Sequence, residues 1–259
     1  MKITALTCTG DRPECLTLLS RWMKNQIVRP DQWLIIDDGK APFMPNMDCD
    51  YIYRKPQKND PAQTLNINIE YALPHITGDV VLFMEDDEYY NPAYVKTMTE
   101  KIRGHEAVGI CRSKYYYLPA RTYYVHANQD HASLAQTGIV KGYLPKLKEL
   151  LNGDPFIDLR IWQDIAGRIV HQQRRAGIPP NGVILNNGKG ILFDDGLKNC
   201  LYVGMKGMPG RKGIGSGHNG IGRVDPQCSM LKAWMPRDFQ TYLDLKIESR
   251  LEQRQGRRG

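Results

Sequence analysis

Apolar and polar positions divide the chain into short buried runs and amphipathic stretches. Val80 to Met84 is an apolar run introduced by Gly78 and Asp79. It is too short for a helix core and predicts a buried parallel strand. Trp33 to Ile36 reads the same way and closes in Asp37, Asp38 and Gly39, while Lys2 to Thr7 predicts an opening strand. Pro13 suits the first position of a helix, and Leu16, Leu19, Met23 and Ile27 follow at helical spacing. This strand, helix, strand order predicts a βαβ unit. Asp50 to Arg54 adds a strand, Pro61 to Leu73 a helix with Leu65, Ile69 and Ala72 inward, and Asn91 to Arg103 another helix.

The pattern changes after Gly104. Ala107 to Cys111 predicts a strand, and Tyr115 to Tyr117 with Tyr123 to Val125 predicts an antiparallel pair joined by a turn. Leu144 to Leu151 predicts a short helix. Asp158 to Ala176 predicts a longer one, with Ile161, Ile165 and Ile169 inward. Val183 to Leu185, Ile191 to Phe193 and Leu201 to Val203 read as weak strands. Residues 204 to 222 hold eight glycines and read as a mobile loop. Arg237 to Arg254 predicts an amphipathic helix before a basic tail. The fold class expected is α/β: a mostly parallel sheet flanked by helices, then a smaller antiparallel portion and a C-terminal helix.

Composition narrows the setting. The chain has 259 residues, 41% hydrophobic and 24% charged, as in ordinary globular proteins. No apolar run reaches the ~20 residues of a membrane helix, and no signal-peptide core opens the chain. The six cysteines show no C-x-x-C spacing, so the expectation is a reducing, cytoplasmic setting without a zinc site or disulfide framework. A net charge of +7 points to an anionic partner: nucleotide phosphates, nucleic acid or a membrane surface.

The densest chemistry lies at Glu85, Asp86, Asp87 and Glu88, directly after the apolar run. Ligands of open α/β sheets sit beyond the carboxyl ends of the strands, where these acids fall. Adjacent carboxylates repel one another unless a cation is bound, and oxygen ligands favour Mg²⁺ or Mn²⁺ shared with substrate phosphates. A solvated acidic turn before a helix is the plainer alternative. Gly215 to Gly220 fits G-x-G-x-x-G but lacks the βαβ context of a dinucleotide site. Its glycines, with Lys206, Arg211 and Lys212, suit a lid closing over a diphosphate. The segment from Arg112 to Tyr124 interleaves tyrosines with cations, which fits sugar, base or nucleic-acid contact and equally fits packing at a sheet edge.

The order of these signals resembles glycosyltransferase family 2, the GT-A fold of nucleotide-sugar-dependent transferases. The resemblance rests on Thr9 to Glu14, Gln26, the Asp37-Asp38-Gly39 strand end, Asn66 or Asn68, and Glu85-Asp86-Asp87 at the D-x-D position followed by Asn91 to Val95. More loosely it extends through Gly138 to Lys141 and Phe156 to Arg168. Glu85, Lys40 and Gln163 depart from the usual Asp, Ser and Glu. The resemblance implies a UDP-sugar (or other NDP-sugar) donor contacted by Thr7, Arg12, Asp37, Asp38, Asn68, Glu85 and Asp86. It implies Mn²⁺ or Mg²⁺ on Asp87 and Asp86, with His218 as a further ligand. Asp164 is the implied base, with Asp158 as runner-up, and the base implies inversion. Asp164 and Arg168 at i,i+4 equally fit an ion pair, and Asp158 a helix cap.

In these terms residues 1–104 form the nucleotide-sugar half, 105–203 the acceptor half and 204–259 the lid and basic tail. The basic tail makes a hydroxymethylated pyrimidine in phage DNA the first acceptor considered, in a host cytoplasm. A saccharide or lipid-linked glycan is the competing acceptor. A nucleotidyltransferase lacks its early Gly- and Lys-rich loop here, and a non-catalytic nucleic-acid-binding module is the remaining class.

Overall fold

A computed structural model describes residues 1–151, 156–170, 182–212 and 222–245. In chain order these form β1 (Ile3–Thr9), α1 (Pro13–Lys24), β2 (Gln32–Asp37), β3 (Asp50–Tyr53), α2 (Leu65–Ala72), β4 (Val80–Phe83) and β5 (Tyr89–Tyr90). Next come α3 (Tyr94–Lys101), β6 (Ala107–Ile110), β7 (Arg112–Tyr117), β8 (Thr122–Ala127) and β9 (Thr137–Val140). They are followed by α4 (Leu144–Leu150), α5 (Ile157–Ala166), β10 (Val183–Leu185), β11 (Gly190–Phe193), β12 (Tyr202–Lys206), β13 (Arg223–Val224), α6 (Ser229–Trp234) and α7 (Phe239–Leu243).

The main sheet runs β10-β11-β6-β9-β4-β1-β2-β3. Strands β3, β2, β1 and β4 are mutually parallel, as the apolar runs predict. Strand β9 lies antiparallel between β4 and β6. Alternation along the strands sends side chains to two cores. Ile3, Ala5, Val80 and Leu82 face α1, α3 and the second sheet; Leu6, Leu34, Val81 and Phe83 face α2, α4 and α5. That second sheet, β13-β8-β7-β12-β5, draws its strands from residues 89 to 224. Far along the chain, the Tyr242 hydroxyl accepts a hydrogen bond from the Trp22 indole at 3.1 Å, joining the C-terminal part to α1.

Several expected boundaries move, for local reasons. Helix α1 stops at Lys24 and Ile27 is exposed, because the Gln26 amide turns back to the carbonyls of Trp22 and Asn91. Helix α2 begins at Leu65 rather than Pro61. Helix α3 starts at Tyr94, after Asn91 caps Ala93. Helix α5 ends at Ala166 because Gly167 takes a left-handed φ of 63°, leaving Ile169 exposed instead of inward. In the glycine-rich segment, residues through Lys206 belong to β12, and the remainder of the expected terminal helix beyond Leu245 lies outside the described residues.

Trp162 sits on a seat made by Gly109 and Gly190. A Cβ at Gly109 would come within 2.6 Å of the Trp162 ring, and one at Gly190 within 3.3 Å. Gly109→Ala is therefore expected to destabilise the fold by about 1–3 kcal/mol through overpacking. A shift in the denaturation midpoint at unchanged slope would report it.

Candidate functional site

The carboxyl ends of β1, β2 and β4 converge on a charged cluster. Glu85, Asp87 and Glu88 each offer an oxygen, and these oxygens lie within 4.8 Å of one another. This all-oxygen set fits a hard divalent cation. Glu88 is buried and already satisfied: one oxygen accepts from the Met205 N–H at 2.5 Å and the other from Lys206 at 2.7 Å. Glu85 and Asp87 are partly exposed. Burial first, then Glu88 and Asp87, pushes Glu85 up to about 8; burial pushes Glu88 up to about 7 against the opposing charge of Lys206.

Asp86 points elsewhere. Its side chain is buried, with one oxygen 2.5 Å from the Thr9 hydroxyl and the other 2.8 Å from Arg12. Arg12 also reaches Asp87 at 2.9 Å. Asp86 thus anchors the tip of β4 to the turn after β1, and Glu88 takes its expected place in the cluster. Alternation also places Thr7 inside, where its hydroxyl accepts from the Trp33 indole at 3.0 Å and does not reach the cluster.

Beside the acids lies a second polar layer. Asp38 is held between Arg54 at 3.0 Å and Arg211 at 2.5 Å, and Arg54 also donates to Asn68 at 2.6 Å. Asp37 accepts from the Gly39 and Phe43 N–H groups and from the Tyr51 hydroxyl, fixing the turn. The segment around Pro209 to Arg211 crosses the first turn: Arg12 donates to the Arg211 carbonyl at 2.5 Å, and the Cys15 thiol to that of Pro209 at 3.4 Å. Gly10 leaves room for this crossing, since a Cβ there would lie 2.6 Å from the Arg211 guanidinium. Lys212 is exposed at the end of this segment. His218 lies outside the described residues.

Burial raises the Asp38 pKa, but hydrogen bonds from Arg211, Thr64 and Asn68 outweigh it and leave the carboxyl below its usual range. A depressed carboxylate stabilises the fold above its unfolded pKa of about 3.9, and that contribution fades as pH falls through the folded value. Arg211→Ala is expected to cost about 1 kcal/mol or less near neutrality, because Arg211 is more than a third exposed. The difference in melting temperature from wild type should shrink below about pH 4.

The two candidate bases separate. Asp158 lies in the first turn of α5, and its charge adds slightly to the upward shift of Glu85, which burial and the acids Glu88 and Asp87 dominate. Asp164 lies at the other end of the sheet. It accepts from the Tyr143 hydroxyl at 2.9 Å and lines a pocket of about 380 Å³ with Glu106, Lys146 and Lys189. Val140, in the same pocket, pairs with Val80 at the start of β4. Asp164 is therefore displaced from the acids by roughly the length of β4, about 13 Å at ~3.3 Å per residue.

Glu88 and Arg54 escaped the sequence reading. Glu88 was visible as the fourth acid, but its pairing with Lys206 requires β12 to lie beside β5 and β7, which no local pattern encodes.

A model of the family described as glycosyl transferase family 2 matches residues 23–158, more than half of the chain. The chain belongs to glycosyltransferase family 2, and its mixed α/β sheet agrees with the GT-A architecture expected of it. Among solved structures it is similar to S. aureus TarS (residues 1–349) in complex with UDP-GlcNAc. Identity is 14% and the TM-score 0.49, over 97% of this chain and 69% of that one. It is also similar to the mannosyltransferase PcManGT from Pyrobaculum calidifontis in complex with GDP-Man and Mn²⁺. There identity is 8% and the TM-score 0.48, over 77% of this chain and 58% of that one. No curated protein matches the chain. Among the described residues, no helix is long and apolar enough to cross a membrane.

Proposed function

We propose that this glycosyltransferase moves a sugar from a nucleoside diphosphate sugar, with UDP-sugars first, to a hydroxyl of a saccharide acceptor, with inversion. The observation that carries the reading is the cluster of Glu85, Asp87 and Glu88 directly after β4, with Lys206 paired to Glu88. Glu85 and Asp87, with Glu88 behind them, would hold Mn²⁺ or Mg²⁺, which supplies charge neutralisation for the diphosphate. Asp38, Arg54, Asn68 and Arg211 would receive the nucleoside end, and Arg12, Lys206 and Lys212 the phosphates.

Asp158 takes the proton of the acceptor hydroxyl as its oxygen bonds to the anomeric carbon. The carbon–oxygen bond to the diphosphate breaks in line, and its electron pair leaves with the phosphate oxygen. Lys206 and Arg12 face the charge that develops there. Attack opposite the leaving group inverts the anomeric centre.

The basic tail that favoured a DNA acceptor lies outside the described residues, and several cations near the acids are already paired. Arg112 pairs with Asp194 at 2.6 Å, Lys114 with Asp195, and Lys206 with Glu88. A panel of UDP- and GDP-sugars incubated with Mn²⁺ and neutral oligosaccharides should release nucleoside diphosphate for at least one pairing. Duplex DNA carrying hydroxymethylcytosine should give none beyond the rate without acceptor. Release with DNA alone would reverse the acceptor assignment.

A further inference from the structure

Residues 207–211 form a strap across the turn after β1. Gly207 and Gly210 shape it, taking left-handed φ of 80° and 91° on either side of Met208 and Pro209. A Cβ at Gly210 would lie 2.5 Å from the Asp11 carbonyl oxygen and 2.8 Å from the Arg12 side chain. The strap therefore rests in contact with the turn, and hydrogen bonds fasten it. The Arg211 N–H donates to the Asp11 carbonyl at 3.3 Å, and Arg12 Nε to the Arg211 carbonyl at 2.5 Å. At the end of the strap the Arg211 guanidinium holds one oxygen of Asp38 at 2.5 Å.

Arg12 belongs to the strap and to the acids at once. While its Nε holds the strap, one terminal nitrogen lies 2.8 Å from Asp86 and 2.9 Å from Asp87. The two acids differ. Asp86 is buried and also bonded to the Thr9 hydroxyl at 2.5 Å, so it anchors the arginine. Asp87 is partly exposed and groups with Glu85 and Glu88 as oxygens that fit a divalent ion. The same arginine thus neutralises one of those ligands and fastens the strap whose Arg211 occupies Asp38.

We propose that Arg12 is the counter-ion a divalent cation displaces from Asp87, and that this displacement frees the strap and, with it, Asp38. A divalent ion on Asp87 and Glu85 places like charge beside the guanidinium, which then keeps Asp86 and gives up Asp87. As the guanidinium turns on Asp86, its Nε leaves the Arg211 carbonyl, and Arg211 releases Asp38 to the nucleotide. The empty protein is strapped and the metal unstraps it, the opposite of a loop that a bound ligand draws shut. Linkage makes the effect reciprocal: whatever loosens the strap tightens the metal by the same factor. The inference rests on the metal placed at Asp87 in the glycosyl-transfer reading.

Backbone hydrogen exchange across residues 207–212 and Mn²⁺ affinity by electron paramagnetic resonance test this on the full chain. In the wild type, Mn²⁺ should speed exchange in the strap about threefold or more. Asp87→Asn should abolish that response. Gly210→Ala, which crowds the strap off Asp11, should exchange fast without metal and bind Mn²⁺ about threefold tighter or more. Arg12→Gln should do the same. Arg12→Lys, which keeps a charge beside the buried Asp86, takes its place if the glutamine variant is not folded by its melting curve. The coupling is overturned if Mn²⁺ binds the wild type and strap exchange stays unchanged or slows. It is also overturned if a folded Arg12 variant keeps its strap protected, or if Gly210→Ala exchanges fast yet binds Mn²⁺ no tighter. Failure of Mn²⁺ to bind the wild type removes the metal reading and the coupling with it, whereas bound Mn²⁺ with an unmoved strap removes the coupling alone.

Discussion

Asp87→Asn is expected to lower transfer by roughly a hundredfold or more while leaving the fold intact, as befits the loss of an electrostatic group at the reacting phosphates. The replacement keeps the shape of the side chain and leaves Arg12 paired with Asp86. What it removes is one of the two partly exposed carboxylates of the cluster, the other being Glu85; Glu88 is engaged by Lys206 and the Met205 N–H. Asp86→Asn provides the contrast. That side chain is buried against Thr9 and Arg12, so its replacement weakens a charged pair inside the molecule and should lower the melting temperature. Measuring nucleotide release and melting temperature for both variants distinguishes the roles. Equal activity losses with unchanged melting would mean that Asp86 also faces the substrate.

Asp158→Asn should reduce kcat by about 10²–10⁴-fold, the usual contribution of a general base, with donor affinity little changed. Asp164→Asn should remain within a few fold of wild type. Its carboxylate serves Tyr143 near the start of β4, so a modest loss of stability is its main expected effect, about 1 kcal/mol for one hydrogen bond. Single-turnover rates at saturating donor measure both. If Asp164→Asn abolishes transfer and Asp158→Asn does not, Asp164 is the base and the assignment of Asp158 fails.

The apolar run before Glu85 and the Asp37-Asp38 strand end were legible because a buried parallel strand and its polar tip are encoded by adjacent residues. Asp38 proved to be the residue gripped by Arg54 and Arg211, although neither partner could be read from spacing. The choice between Asp158 and Asp164 was not legible. Six residues along a helix turn the side chain by roughly 240° beyond one full turn, so the two acids cannot share a face. Which face meets the site depends on the tertiary position of α5 against the sheet. Lys206 read as part of a lid because glycines dominate its neighbourhood. It is instead the last residue of β12, placed by parallel pairing with β7, whose residues lie far back in the sequence. Lys206 thus entered the site through non-local strand pairing, which no sequence window contains.

Manganese anomalous scattering from a crystal soaked with Mn²⁺ and UDP tests the central claim most directly. The account predicts one peak bound by Asp87 and Glu85, next to the UDP diphosphate, with Asp86 still turned to Arg12 and Thr9. A bound UDP whose diphosphate lies away from β4, or a manganese peak held by neither Asp87 nor Glu85, would contradict it.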